Sequence, residues 1–281
     1  MEISPAVMFA VLAAALLHAA WNALLKASAD KALASIGQAM ARGLIALVLV
    51  PFVAAPAPES WPWIAASVIV HVAYFWLLAG AYRWGELSFS YPIMRGTAPA
   101  IVALISVPLF AEILPGAELA AIALICAAVL AFAGGSSAGP NVQGRALAFA
   151  LGNAVVIASY TLIDAHGVRL SGAPIGYALW FFLGNSIVQL SLGVGGHGRQ
   201  LFAYLRRHGV QAALGGVFTI GAYGTALWAM TQAPVALVAT LRETSVVFAA
   251  LIGALFLGER LTRRRMVATA LVFAGLVLLR L

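Results

Sequence analysis

Ten runs of mostly apolar residues, each close to 20 long and separated by short polar or Gly/Pro-rich punctuation, fix what this chain can fold into. A bilayer-spanning helix needs about 20 consecutive apolar residues. The runs fall near 5–26, 35–55, 62–82, 88–111, 117–134, 145–165, 174–194, 209–230, 235–257 and 264–280. They use up almost all of the 281 residues and leave no length for a soluble domain. Only 9% of the residues are charged, against roughly a quarter in ordinary soluble domains, so a water-soluble core is excluded. The expected fold class is all-α and integral to the membrane, with about ten transmembrane helices.

The least apolar stretches, Gly134 to Gly144 and Gly193 to His208, read as loops. The first divides the chain into units spanning 1–138 and 139–281. Trp61-Pro62-Trp63 opens the third helix, with tryptophans suited to the membrane interface and proline to a first turn. The start of the chain, Met1 to Pro5, lacks the cationic segment and small-residue cleavage site of a signal peptide, so the first helix is expected to be retained. The formal charge of +7 is scattered among loops and helices, which fits membrane topology and argues against nucleic acid as a partner. Membrane lipid is the expected surroundings, and a cell inner membrane the expected location. The single Cys126 excludes an internal disulfide and reads as packing.

The two units can be laid over one another. Displacement by 147 residues carries Arg95 onto Arg242, Thr97 onto Thr244, Glu112 onto Glu259 and Leu114 onto Leu261. Displacement by 139 carries Trp21 onto Tyr160 and Asn22 onto Thr161, the difference being absorbed by loop length. Five spans per unit is an odd number, so the second unit must enter the membrane in the opposite sense to the first. Inverted repeats of this kind mark secondary transporters, whose substrate site lies between the units.

Intramembrane charges are costly and default to functional hypotheses. Arg242 lies about 10 Å into the ninth helix at 1.5 Å per residue, too deep for lipid exposure. Its neighbour Glu243 diverges from it by about 100° and so meets a different partner. Arg95 is the repeat mate, and Pro99 leaves the Arg95 carbonyl without its helical donor. Two readings stand: the arginines meet an anionic ligand, or they pin helices through carbonyls and Glu243. Arg42 in the second helix is a weaker candidate. His18, Trp21 and Asn22 share one face of the first helix through their i, i+3, i+4 spacing. There His18 either contacts substrate or a coupling proton, or is a packing histidine; Lys26 reads as an interfacial snorkeller. Tyr74, Tyr160, Tyr223 and Trp228 offer aromatic walls, with core packing as the alternative for each. Asn153, Asn185 and Gln189 are further polar points, and Asp164, near the expected end of the sixth helix, is expected to be solvated.

The duplicated five-helix unit, together with Leu257-Gly258-Glu259-Arg260-Leu261 before the last helix, resembles the drug/metabolite transporter superfamily, EamA family. His18-Ala19-Ala20-Trp21-Asn22 and Leu241-Arg242-Glu243-Thr244-Ser245 resemble one branch of it. The resemblance implies export or exchange of small polar metabolites, among them amino acids, nucleotide precursors and amphiphilic amines. It also implies cytoplasmic termini. Loop charges disagree: eleven basic residues (Lys26, Lys31, Arg83, Arg145, Arg199, Arg206, Arg207, Arg260, Arg263, Arg264, Arg265) follow odd-numbered helices, against Arg169 and Arg280 on the other side. Basic loops favour the cytoplasm, so this bias places the termini outside.

Gly193-Val194-Gly195-Gly196-His197-Gly198 matches a dinucleotide-binding glycine pattern but lacks the strand and βαβ unit that give it meaning. The five histidines never approach H-E-x-x-H spacing and no G-x-S-x-G occurs. No cofactor, metal or catalytic motif is therefore expected. An integral-membrane lipid or head-group transferase, which needs clustered carboxylates or histidines at a membrane face, and a flippase component or non-transporting subunit are the competing classes. Oligomeric state is not encoded in these features.

Overall fold

The computed structural model describes residues 3–85, 87–133, 140–193, 198–256 and 262–279. Within them the chain forms helices α1 (Pro5–Ala27), α2 (Lys31–Leu49), α3 (Trp61–Trp84), α4 (Leu87–Phe110), α5 (Gly116–Ala131), α6 (Pro140–Ser171), α7 (Pro174–Gly193), α8 (Gly198–Ala229), α9 (Val235–Arg242), α10 (Ser245–Phe256) and α11 (Arg263–Leu278). Local chemistry starts several of them. Ser4 accepts from the Val7 amide at 3.3 Å with Pro5 in the first turn, and Asp30 accepts from the Leu33 amide at 2.9 Å. Each side chain satisfies an otherwise orphan N–H at a helix start.

Eight helical stretches are long and apolar enough to cross a membrane, α9 and α10 together counting as one. The two remaining helices, α5 and α11, each have 16 residues, and they pack on one another. Lipid-facing and protein-facing surfaces differ in side-chain size more than in polarity. Leu104 is 78% and Phe256 79% exposed, whereas Ala39, Ala46, Ala81, Ala121, Ala150 and Ala154 are fully buried. Without a hydrophobic drive between helices in lipid, close backbone approach through small residues supplies the packing. Gly216 illustrates it: a Cβ there would lie 2.8 Å from the Arg42 amide nitrogen, so only glycine lets α8 lie this close to α2.

Helix α1 runs along α8, α3 along α6, and α2 packs on both α7 and α8; α4 contacts α5, α6 and α9, while α1 also contacts α9 and α10.

Three expectations are corrected. The stretch up to His208 is not all loop: α8 already begins at Gly198 and bends at His208, whose φ of −125° and ψ of 19° are non-helical. The first turns are helical because Leu201, Tyr204 and Leu205 pack on Leu33 and Ile36, while Arg199, Arg206 and Arg207 stay exposed. Residues 194–197 of the glycine-rich stretch lie outside the described residues, as do 257–261, which carry the Leu257 to Leu261 motif, and Arg280. Second, the ninth run is broken: α9 stops at Arg242 and α10 starts at Ser245. The Thr244 hydroxyl donates to the Leu241 carbonyl at 2.7 Å, and the amides of Val246 and Val247 donate three residues back, to the carbonyls of Glu243 and Thr244. These local bonds compete with the α-helical ladder. Third, α6 continues to Ser171, so Asp164 is interior and has no solvent exposure at all.

Candidate functional site

The break between α9 and α10 faces the proline-interrupted middle of α4. A cavity of about 10 Å³, room for roughly one water, lies between them, lined by Arg95, Pro99, Ile157, Thr161, Arg242 and Glu243 among others. Pro99 places no N–H opposite the Arg95 carbonyl, so α4 offers a free backbone acceptor beside a cation.

Arg95 Nε lies 2.9 Å from Glu243 Oε2, with side chains only 8% and 4% exposed. The pair is close yet poorly aligned for hydrogen bonding: Arg95 Nε and Nη2 and Glu243 Oε2 are all buried without a hydrogen-bond partner among the described residues. Arg242, the residue before Glu243, projects elsewhere, and its guanidinium sits 5.0 Å above the Tyr223 ring. The angular divergence of successive helical positions is what sends Glu243 to α4 and Arg242 to α8. Two guanidinium groups and one carboxylate leave the cavity with a net positive charge.

Behind Arg242 lies a polar cluster that sequence reasoning missed. Asp164 accepts from the Ser67 hydroxyl at 2.9 Å, from the Tyr177 hydroxyl at 2.9 Å and from the Tyr223 hydroxyl. Helices α3, α6, α7 and α8 are thereby joined at one carboxylate. His71, its Nδ1 2.8 Å from the Ser67 carbonyl, lies against Tyr160 with ring centroids 4.2 Å apart. Tyr74 and Phe181 complete an aromatic lining around His71. The available signal was Ser67 and His71 one helical turn apart on α3; Asp164 was set aside because the sixth apolar run was ended near 165.

The expected site residues are therefore only partly gathered. Arg95, Arg242 and Glu243 line one cavity, and Tyr223 and Tyr160 stand next to it, 6.3 Å apart ring to ring. His18, Trp21 and Asn22 do not line that cavity. Trp21 Nε1 donates to His18 Nδ1 at 3.4 Å and Asn22 Nδ2 to the His18 carbonyl at 2.8 Å, so the three satisfy one another along α1. His18 remains within electrostatic reach of Arg95 and Arg242. Trp228 packs at the margin of the core. Arg42 on α2 is held against α7 by Asn185 at 2.7 Å, Ser186 at 3.2 Å and Gln189.

Many apolar spans, a helix broken at buried charges and a cavity beside it define a multi-pass helical membrane protein with an internal polar site. Residues 144–281 match the EamA-like transporter family model, consistent with a membrane transporter of the drug/metabolite transporter kind. No curated protein matches it. A solved structure titled only "Crystal structure of protein" superposes with a TM-score of 0.71 at 16% identity, covering 97% of this chain and 94% of that one, a likeness of fold.

Proposed function

We propose that this chain is a secondary transporter in a cell inner membrane, moving a small polar metabolite that carries a carboxylate or phosphate by alternating access between two inverted five-helix units. The observation that carries the reading is the buried, unpartnered Arg95 Nη2 beside Arg242 on one cavity. A buried unsatisfied cationic donor is expensive, and an anionic ligand bridging both guanidinium groups removes that cost. The cavity is too small for a metabolite, which fits an occluded conformation between two open ones.

Packing supports the repeat. If α1 to α5 correspond to α6, α7, α8, α9 with α10, and α11, a two-fold relation pairs α1 on α8 with α3 on α6, and α4 on α6 with α1 on α9 and α10; all these contacts occur. The contacts α2 on α7, α4 on α9 and α5 on α11 map onto themselves, and they occur too. In this reading α9 and α10 form one discontinuous span, a recurrent construction at transporter sites, and α5 and α11 complete ten. Export or exchange is the proposed mode, with a proton as the proposed coupling ion.

The test is untargeted: proteoliposomes loaded with a cell metabolite extract are incubated with the same extract carrying heavy isotope label, and lumenal contents are read by mass spectrometry. Exchange of one or a few anionic metabolites, absent from empty liposomes, is expected; no protein-dependent exchange of any small molecule contradicts the reading.

The orientation follows from loop charge. Arg169 is the one described basic residue counted on the side of the termini, and it is consumed by an ion pair with Glu112 at 2.7 Å. The opposite side keeps Arg263 and Arg264 exposed at the start of α11. A cysteine introduced at Thr262 in a Cys126→Ala background is expected to resist a membrane-impermeant thiol reagent in intact cells. Ready labelling would put the termini in the cytoplasm.

A further inference from the structure

We propose that Ala111, Glu112 and Arg169 form a strained latch that closes the pathway on the side of the termini; the proposal rests on the transporter reading above. Glu112 follows α4 in the first unit, yet all its described partners are in the second. Its carboxylate accepts from Arg169 Nη2 at 2.7 Å and from the Val235 amide at 3.0 and 3.1 Å, capping the helix that ends in Arg242. Arg169 in turn donates from Nε to the Met230 carbonyl at 2.8 Å and from Nη2 to the Ala233 carbonyl at 3.2 Å, and lies 4.8 Å over the Phe110 ring. One carboxylate and one guanidinium thus tie the α4–α5 connection to the end of α6 and to the α8–α9 connection.

The latch lies between the cavity and the surface. Arg169 is eight residues beyond the cavity-lining Thr161 on α6, about 12 Å, and Val235 is seven before Arg242, about 10 Å. Opening on this side requires the two units to part there, and these polar bonds, with the Ala57 amide donating to the Ser171 carbonyl at 3.0 Å, join them among the described residues. Glu112 is buried while the Arg169 side chain is 26% exposed, so water reaches the latch edge.

Ala111 adds a second, independent observation. Its φ of 50° is the positive value at a non-glycine among the described residues. A residue with a Cβ occupies that region at a cost and persists there only when its surroundings over-determine it. Here the conformation turns the chain sharply after α4 and aims Glu112 back at α9. A turn serving only as a connection would relax; one held by an inter-unit ion pair stores strain that is released when the pair breaks. Glu112 is thus a positioning residue, acting on Arg242 through α9.

The test uses the full chain carrying Thr161→Cys in a Cys126→Ala background, in vesicles of both orientations, with a small membrane-impermeant methanethiosulfonate. Glu112→Gln is expected to raise the labelling rate from the side of the termini about tenfold, the loss of one charged hydrogen bond, leaving the rate from the other side unchanged. Ala111→Gly removes the strain without touching the ion pair and is expected to slow labelling from the side of the termini about fivefold. A turn strained equally in every state predicts no change in that variant. Labelling from the opposite side, with both variants matching their parent on the side of the termini, overturns the latch and leaves the transporter reading standing. Failure to label Thr161→Cys from either side in any variant overturns both. Should Glu112→Gln fail to fold, Ala111→Gly alone decides.

Discussion

Arg95→Ala is expected to lower the unfolding free energy by about 3–5 kcal/mol, the cost of stranding one member of a buried ion pair. Glu243 is 3% exposed, and its carboxylate would keep only the neighbouring Arg242 as a cation while facing the space the guanidinium leaves. The expected loss therefore comes from the survivor. Adding Glu243→Gln removes the stranded charge and should recover most of the stability, so the two substitutions are strongly non-additive. Unfolding in mixed detergent micelles, followed by helical circular dichroism, measures both. Equal and additive losses would mean that Arg95 and Glu243 contribute separately and that their 2.9 Å approach is incidental.

Asp164→Ala is expected to cost about 2–6 kcal/mol, because the Tyr177 and Tyr223 hydroxyls each lose a buried acceptor worth about 1–3 kcal/mol. Ser67 is less affected, since His71 Nδ1 lies 3.4 Å from its hydroxyl. Asp164→Asn keeps the volume and one acceptor oxygen and should cost less. The functional consequence is larger than the stability loss suggests. Tyr223 carries the Arg242 guanidinium on its ring, so releasing its hydroxyl from Asp164 frees the platform on which Arg242 rests. Tyr223→Phe separates the effects by removing the hydroxyl and keeping the ring. A thermal melt of Asp164→Ala matching the wild type would show that the three hydroxyls find other partners.

Much of this was legible from sequence because the bilayer makes hydropathy decisive. Eight of the ten apolar runs each lie on one continuous helix to within about three residues at their described ends; 35–55 outlasts α2, which ends at Leu49, and 235–257 is divided between α9 and α10. The break at Glu243 and Thr244 was not legible: Ala, Leu, Val and Phe surround it, and it arises from one hydroxyl and one ion pair to another helix. Arg95 and Arg242 stood out because charge is rare in such runs. Asp164 was misread because the sixth apolar run was ended near 165, whereas α6 continues through Gly167, which serves close approach, a Cβ there lying 2.5 Å from the Tyr177 hydroxyl. The grouping of His18, Trp21 and Asn22 on one face followed from spacing, but spacing could not say that they would bond to each other. Glu112 was found as a repeat position, yet its partner Arg169 has no repeat counterpart of like charge, so the ion pair left no trace in the internal comparison.

The central claim is that Arg242 and Arg95 hold an anionic substrate between two moving units, and the most direct measurement compares Arg242→Lys and Arg242→Ala with wild type. Each protein is reconstituted at equal density, with thermal stability measured alongside, and exchange of the anionic metabolite identified by profiling is followed over a range of concentrations. A lysine keeps the charge but loses the planar fork that grips carboxylate or phosphate at two points. The account predicts a folded Arg242→Lys protein with substrate affinity weakened about tenfold or more, and no exchange by Arg242→Ala. Exchange by Arg242→Ala at the wild-type rate and affinity would contradict it.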